Sequence, residues 1–455
     1  MKLFDDTIIG ISTALSKGAI SIIRLSGDDA IKIVNKVFKG IDLSKVEPNT
    51  INYGHIVDFD SCQIIDEVLL SIFKAPKSYT KEDVVEINCH GGLFVTNKIY
   101  EQLVLLGARP SEPGEFTKRA FLSGRIDLTK AEAVMDVINA ENSAALKIAN
   151  SALNGKISTF VDQKRQELLD IIATISVNID YPEYDDVEQL TNEDILPKLK
   201  TIKLELEDVL NNAKSAKLLK NGINTVIVGK PNVGKSSLLN TLIGENKAIV
   251  TNIPGTTRDI VEASINLGQV TLNLIDTAGI RITEDVVEKI GVEKSKEQIN
   301  KADIILCVLD GSEPINEQDK EILNEIKNKC HLTIINKIDL EQKINLGEVD
   351  DNVLFISTKN NNTIKELENK ILETLNLNNL FNKDITYISN ARQLEKINFA
   401  IKALDEALTT IENEATIDFV DIDIRKAWLY LGEIVGQTST DNLLDELFSK
   451  FCLGK

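Results

Sequence analysis

The chain has 455 residues, enough for roughly three domains, and at 43% apolar and 27% charged it matches ordinary water-soluble folds. Against 51 Lys+Arg stand 70 Asp+Glu; the net charge of −19 excludes a surface that attracts nucleic acid or anionic membrane everywhere, so such a partner needs a local basic patch or a second protein. Five scattered cysteines (Cys62, Cys89, Cys307, Cys330, Cys452) without a CxxC pair argue against a disulfide framework and a zinc site, and for a reducing, cytoplasmic location. No secretory leader is evident at the N-terminus, and no run approaches the ~18 apolar residues that span a bilayer, so no membrane role is expected.

Residues 1–116 mix β-rich and helical runs: strands are expected at Thr7–Ser12, Ala19–Leu25, Glu67–Phe73 and Val84–Cys89, helices at Asp28–Phe38 and Leu93–Leu106. Residues 117–216 read as helical, with Ile195, Leu199, Ile202, Leu206, Val209 and Leu210 as one apolar stripe. Residues 217–380 alternate strands and helices. Strands at Asn224–Val228, Val270–Ile275, Asp303–Leu309, Leu332–Ile335 and Val353–Ile356 predict a doubly wound parallel sheet. Residues 381–455 return to helix, with Leu394, Ile397, Ile401, Leu404, Leu408 and Ile411 on one face. An α/β segment between two helical stretches suggests insertion, the two stretches packing together as one helical domain. No internal repeat is present.

Gly229-Lys-Pro-Asn-Val-Gly234-Lys235-Ser236 fits GxxxxGK[ST] between a predicted strand and a helix. Its glycines let backbone N–H groups, including those of Asn232, Val233, Gly234 and Ser237, wrap phosphates; Lys235 would reach the β- and γ-phosphates and Ser236 would bind Mg²⁺. Downstream, Thr251-Asn252-Ile253-Pro254-Gly255-Thr256-Thr257 carries the switch threonine Thr257, a second Mg²⁺ ligand, and Asp276-Thr277-Ala278-Gly279 follows the next strand toward the γ-phosphate. Asn336-Lys337-Ile338-Asp339 supplies a carboxylate for guanine's N1–H and exocyclic amine, donors that adenine lacks, and Ser357-Thr358-Lys359 backs the base. In this order the motifs specify guanine-nucleotide binding. Ile280 stands where many GTPases have a water-orienting glutamine, so that group must come from elsewhere.

At full length the sequence resembles the tRNA-modification GTPase family MnmE (TrmE). The resemblance is carried by Ile22–Gly27, Ala75–Thr80, Glu82–Glu86, His90-Gly-Gly92, the long run Arg109–Leu128 and the ending Cys452-Leu-Gly-Lys455. It implies a multidomain α/β protein: an N-terminal α+β domain similar to tetrahydrofolate-binding folds that dimerises, an all-α domain, and an inserted Ras-like P-loop G domain. It implies a homodimer that joins an FAD-dependent MnmG-like partner in a heterotetramer. Together they place a carboxymethylaminomethyl-type group on C5 of the wobble uridine of certain tRNAs. The carbon would come from 5,10-methylene-tetrahydrofolate, with 5-formyl-tetrahydrofolate an alternative ligand. The incoming amine, ammonia or glycine, is left open.

By that resemblance Arg24, Glu86, Arg125 and Lys455 bind folate, with arginine at 125 where the family often has lysine. Asn232, Thr251, Ile253 and Thr256 hold K⁺, and Glu288 orients the attacking water, with Lys235 and Thr257 completing the catalytic set. Arg258 and Arg281 are weaker catalytic candidates. Cys452 is open to three readings: lipidation, which Gly454 and Lys455 fit poorly, a reactive thiol near the modification site, or a buried structural cysteine. Two rival functions are a ribosome-assembly GTPase and a membrane-remodelling GTPase. The first would add a basic RNA-binding domain, yet Glu412 to Asp423 is acidic; the second would need an apolar or polybasic docking element.

Overall fold

The computed structural model describes residues 5–180, 192–245, 261–275, 298–349, 351–358, 363–377, 388–413, 416–437, 441–452 and 454. By contact density the chain forms two units, Met1–Met135 with Gly432–Lys455, and Asp136–Leu431.

The first unit holds β1 (Ile8–Ile11), β2 (Ile20–Ser26), α1 (Ala30–Asn35), β3 (Phe38–Lys39), β4 (Thr50–Val57), β5 (Ile64–Phe73), β6 (Val84–His90), α2 (Leu93–Leu105), β7 (Arg109–Pro110), α3 (Glu115–Leu122) and α4 (Leu128–Ile138). Its strands form one seven-stranded sheet in the order β3-β4-β5-β6-β2-β1-β7. Alternation decides the faces. Ser21, Ile23 and Leu25 of β2 are buried, and Ile23 and Leu25 pack with Ile33 and Val34 of α1 and Ile99 and Leu103 of α2. Ile20, Ile22 and Arg24 take the opposite face, which also presents exposed Ile51, Tyr53 and Leu69.

The second unit opens with α5 (Ser143–Leu153), α6 (Lys156–Asp180) and α7 (Asn192–Asn221). An α/β segment follows: β8 (Ile223–Val228), α8 (Lys235–Glu245), β9 (Val261–Leu267), β10 (Val270–Ile275), β11 (Ile304–Asp310), α9 (Glu317–Ile326), β12 (His331–Asn336), β13 (Val353–Phe355) and α10 (Thr363–Thr374). Its six strands lie in the order β13-β12-β11-β8-β10-β9. The five expected strands are parallel, as read from the sequence; β9, not expected, joins β10 antiparallel at the sheet edge. The central strand β11 is buried at every position, as a strand covered on both faces requires. Ala144 and Ile148 of α5 and Ala216 and Leu219 of α7 enter the same apolar cluster as Ile265, Val270 and Leu272, so the flanking helices share a core with the sheet.

The helical return is α11 (Ala391–Glu412) and α12 (Ile417–Val435). α11 packs along α7, which brings the two predicted apolar stripes together; Leu210 and Leu394 are only half-buried at the seam. α13 (Asp441–Phe448) closes the first unit, where Leu444, Phe448 and Phe451 pack on Leu128 and Ala131. Among the described residues no helix is long and apolar enough to cross a membrane.

Candidate functional site

The phosphate loop leaves β8 and ends in α8, whose first residue is Lys235. Gly229 and Gly234 take φ of 149° and 103°, and a Cβ on either would strike the Val308 carbonyl or the Asn336 amide. Asn232 also lies in the left-handed region, φ 64°, which asparagine tolerates, and its side chain is exposed. The Lys235 ammonium donates to the carbonyls of Gly229 and Lys230, each at 2.7 Å. Burial lowers its pKa, and among the described residues the ammonium rests on these two carbonyl dipoles. Ser236 and Ser237 occupy the next positions of α8, where helix N–H groups face an anion.

The Asn336–Asp339 segment lies at the end of β12. Asn336, 1% exposed, donates through Nδ2 to the Val233 carbonyl at 3.0 Å, which ties this segment to the phosphate loop. Its Oδ1 is buried with no partner among the described residues. Lys337 has φ 65° and pairs with Asp310 at 2.6 Å. Burial, which raises the Asp310 pKa, is outweighed by hydrogen bonds from Lys337 and Ser312, so its carboxyl is held below the usual range. Asp339 accepts from Ser357 Oγ at 3.0 Å, and Thr241 Oγ1 of α8 donates to the Thr358 carbonyl at 3.3 Å. Asn336 is thus tied to the phosphate loop, Asp339 to Ser357, and Thr358 to α8. Thr251 to Thr257, Asp276 to Gly279, Arg258, Arg281, Glu288 and Lys359 lie outside the described residues.

In the first unit Arg24 and Glu86 stand directly opposite on β2 and β6. Arg24 reaches Glu86 Oε1 at 2.8 Å from both Nε and Nη2, and both side chains are half-buried. Its Nη1 donates to the Gly454 carbonyl at 3.2 Å, and the guanidinium lies 5.7 Å from the Phe116 ring centroid. Ser12 Oγ donates to the same carbonyl at 3.0 Å. Gly10 makes room: a Cβ there would come within 2.9 Å of Gly454 Cα. The chain end is therefore seated on the first sheet, beside Arg24. Arg125 instead stacks over Tyr79, 4.8 Å from the ring centroid, and Lys455 lies outside the described residues. Cys452 is exposed, which removes its reading as a buried structural cysteine.

Sequence reasoning missed the supports. Asp310, Lys230, Ser12 and Gly10 act through partners distant in sequence, and no local pattern marks such contacts. Lys230 pairs with Glu313 and Asp319 at 3.1 and 3.2 Å.

A family model described as the MnmE helical domain matches residues 128–452, and one described as the GTP-binding protein TrmE N-terminus matches residues 7–125. The tRNA modification GTPases MnmE of Bacillus cytotoxicus and Bacillus mycoides are each 49% identical over 455 residues, 99% of this chain and 99% of theirs. Among solved structures, an Aquifex aeolicus Era variant bound to GDP·AlF4⁻ is 31% identical over 40% of this chain and 66% of that chain, at a TM-score of 0.25 that supports no argument. With both parts of the chain matched and 49% identity from end to end, this chain belongs to the MnmE (TrmE) family of tRNA-modification GTPases.

Proposed function

We propose that GTP hydrolysis by this chain drives modification of the wobble uridine of tRNA at C5, in the cytoplasm. The homodimer works there with an FAD-dependent MnmG-like partner and a one-carbon tetrahydrofolate. The observation that carries the GTPase half is the junction of Lys235, carried on two loop carbonyls, with Asn336, which locks the base segment to that loop.

The loop suits a triphosphate because its glycines, packed too closely against the Val308 carbonyl and the Asn336 amide for a Cβ, let it run from β8 into the N-terminus of α8, where N–H groups face an anion. Lys235, already desolvated, would neutralise the β/γ oxygens as charge builds there. Asp339, oriented by Ser357, would take guanine's two donors, and Asn232 presents an exposed amide oxygen at the loop's outer turn. Ser236 and Thr257 would hold Mg²⁺, and Asn232, Thr251, Ile253 and Thr256 would hold K⁺. Those cations supply the positive charge that other GTPases take from an arginine finger. Glu288 would orient the water, since Ile280 cannot.

The folate reading rests on Arg24, Glu86 and the chain end meeting on one sheet face. Glu86 suits the pterin's N–H donors, and Arg24, Arg125 or Lys455 the carboxylate tail. Exposed Ile51, Tyr53 and Leu69 share that face and support pairing of two copies there. Nucleoside analysis of tRNA from cells lacking the protein tests the whole: loss of the C5-modified wobble uridine is expected, and an unchanged nucleoside profile would overturn the reading. A monomer in sedimentation would remove the dimer.

A further inference from the structure

Lys230, the second residue of the phosphate loop, takes no part in the chemistry described above, yet its side chain is only 10% exposed and doubly anchored. Its ammonium lies 3.1 Å from Glu313 Oε2 and 3.2 Å from Asp319 Oδ2. Asp319 is itself fixed. Its side chain is 4% exposed; Oδ2 also accepts from the Asn316 N–H at 3.2 Å, while Asn316 Oδ1 accepts from the Asp319 N–H at 3.0 Å. This reciprocal box starts α9, so the anchor of Lys230 is a helix end rather than a mobile surface acid.

The other end of Lys230 is its carbonyl, one of the two oxygens on which the Lys235 ammonium rests. The neighbouring acceptor is the carbonyl of Gly229, a residue whose backbone is free to turn. A stiff Lys230 therefore supplies what the glycine beside it cannot. The same loop that anchors Lys230 follows Asp310, which holds Lys337, so one β11-to-α9 segment braces both the phosphate-reading and the base-reading parts.

We propose that Lys230 is a positioning residue for GTP turnover: its ammonium, held by Asp319 and Glu313, fixes the loop carbonyl that aims Lys235 at the phosphates. Lys230 touches no reacting atom; it acts through Lys235. The proposal rests on GTP hydrolysis alone and stands or falls independently of the tRNA and folate readings.

The test uses the full-length chain with Lys230→Met, Lys230→Arg, Asp319→Asn and the Lys230→Met/Asp319→Asn double variant. Asp319→Asn removes the charge but keeps a side-chain acceptor for the Asn316 N–H. GTP turnover is measured for kcat and KM, alongside thermal melting. A misaimed Lys235 should cost about tenfold or more in kcat, with KM changing far less. Lys230→Arg should restore most of the rate, because it keeps the charge and reach. The double variant should be no slower than the worse single, the mark of two groups acting as one unit. If Lys230→Met lowers the melting temperature but leaves kcat intact, the pair is only a stabilising ion pair and the proposal is wrong. It is equally wrong if the two single effects multiply. Should Lys230→Met fail to fold, Asp319→Asn and Lys230→Arg decide alone: an unchanged kcat in Asp319→Asn overturns it, and a reduced kcat there with a near-native rate in Lys230→Arg supports it.

Discussion

The substitution Asp339→Asn exchanges one oxygen for an amide nitrogen in the segment that reads the base, and its effect can be sized. An ionised carboxylate that accepts two N–H bonds from guanine gains about 1.5–3 kcal/mol from each. One oxygen already accepts from Ser357 Oγ at 3.0 Å, so part of its capacity is spent and the lower figure applies. Asp339→Asn keeps one acceptor oxygen and loses the other, so one bond at that value, about 1.5 kcal/mol, is lost and a donor then faces guanine's amine: a fall of roughly tenfold or more in GTP affinity. Xanthosine triphosphate presents a carbonyl where guanine has its amine, and the side-chain N–H₂ introduced by Asp339→Asn can donate to it. Competition of both nucleotides against a fluorescent GDP analogue measures the switch. GTP affinity should fall and xanthosine triphosphate affinity rise in Asp339→Asn, while Ser357→Ala should weaken GTP only about fivefold, the loss of one neutral donor. An unchanged ratio of the two affinities in Asp339→Asn would refute the assignment.

Turnover should rise with K⁺ and fall steeply when Na⁺ replaces it at matched ionic strength; Glu288→Ala should abolish it with GTP binding kept, and equal rates in both salts would exclude a K⁺ role. Deleting Cys452–Lys455 should cut folate affinity without changing GTP affinity, since the Gly454 carbonyl joins Arg24 and Ser12; equal folate binding by calorimetry would dismiss the closure. Arg119, 1% exposed, pairs with Asp6, Glu82 and Glu115, so Arg119→Met should cost about 3–5 kcal/mol in denaturant unfolding by leaving acids without their cation. Glu115 gives the pH sign. Burial raises its pKa, but hydrogen bonds from Arg109, the Glu112 N–H and Arg119 prevail and lower it from 4.5. Its stabilisation is therefore complete above about 4.5 and lost as pH falls through the lowered folded value, and flat stability across that acid window would contradict the network.

The nucleotide segment is legible in the sequence because its strands are buried on both faces and read as continuous apolar runs, as in Ile304–Asp310. β4 escapes that reading because Thr50-Ile51-Asn52-Tyr53 alternates in the inverted sense, with Ile51 and Tyr53 exposed, and Gly54 and His55 then interrupt the pattern of a half-buried strand. β9 escapes it for another reason: as an antiparallel edge strand it breaks the alternation of strand and helix that locates its neighbours. The phosphate and base motifs are legible because their chemistry is local in sequence. Arg24 meeting Gly454, at a separation of 430 residues, leaves no local trace; only the family resemblance points there. Lys230 fills an unspecified position of the phosphate-loop motif, and its partner Asp319 lies 89 residues on, so no local pattern marks the pair.

The first unit is made from the two ends of the chain, and this sets the order in which it can be completed during synthesis. Its sheet and α4 precede Asp136–Leu431 in the chain, whereas Leu444, Phe448 and Phe451, which cover Leu128 and Ala131, follow it. All of Asp136–Leu431 is translated in between. At about 5–20 residues per second, that delay is roughly 15–60 s. For that interval the apolar ledge formed by Leu128, Ala131, Phe121 and Met135 has no native cover, while the GTP-binding sheet has time to fold first. A ribosome stalled before α13 would therefore display a finished nucleotide domain and an unfinished first unit, with a sticky surface that holding chaperones are suited to protect.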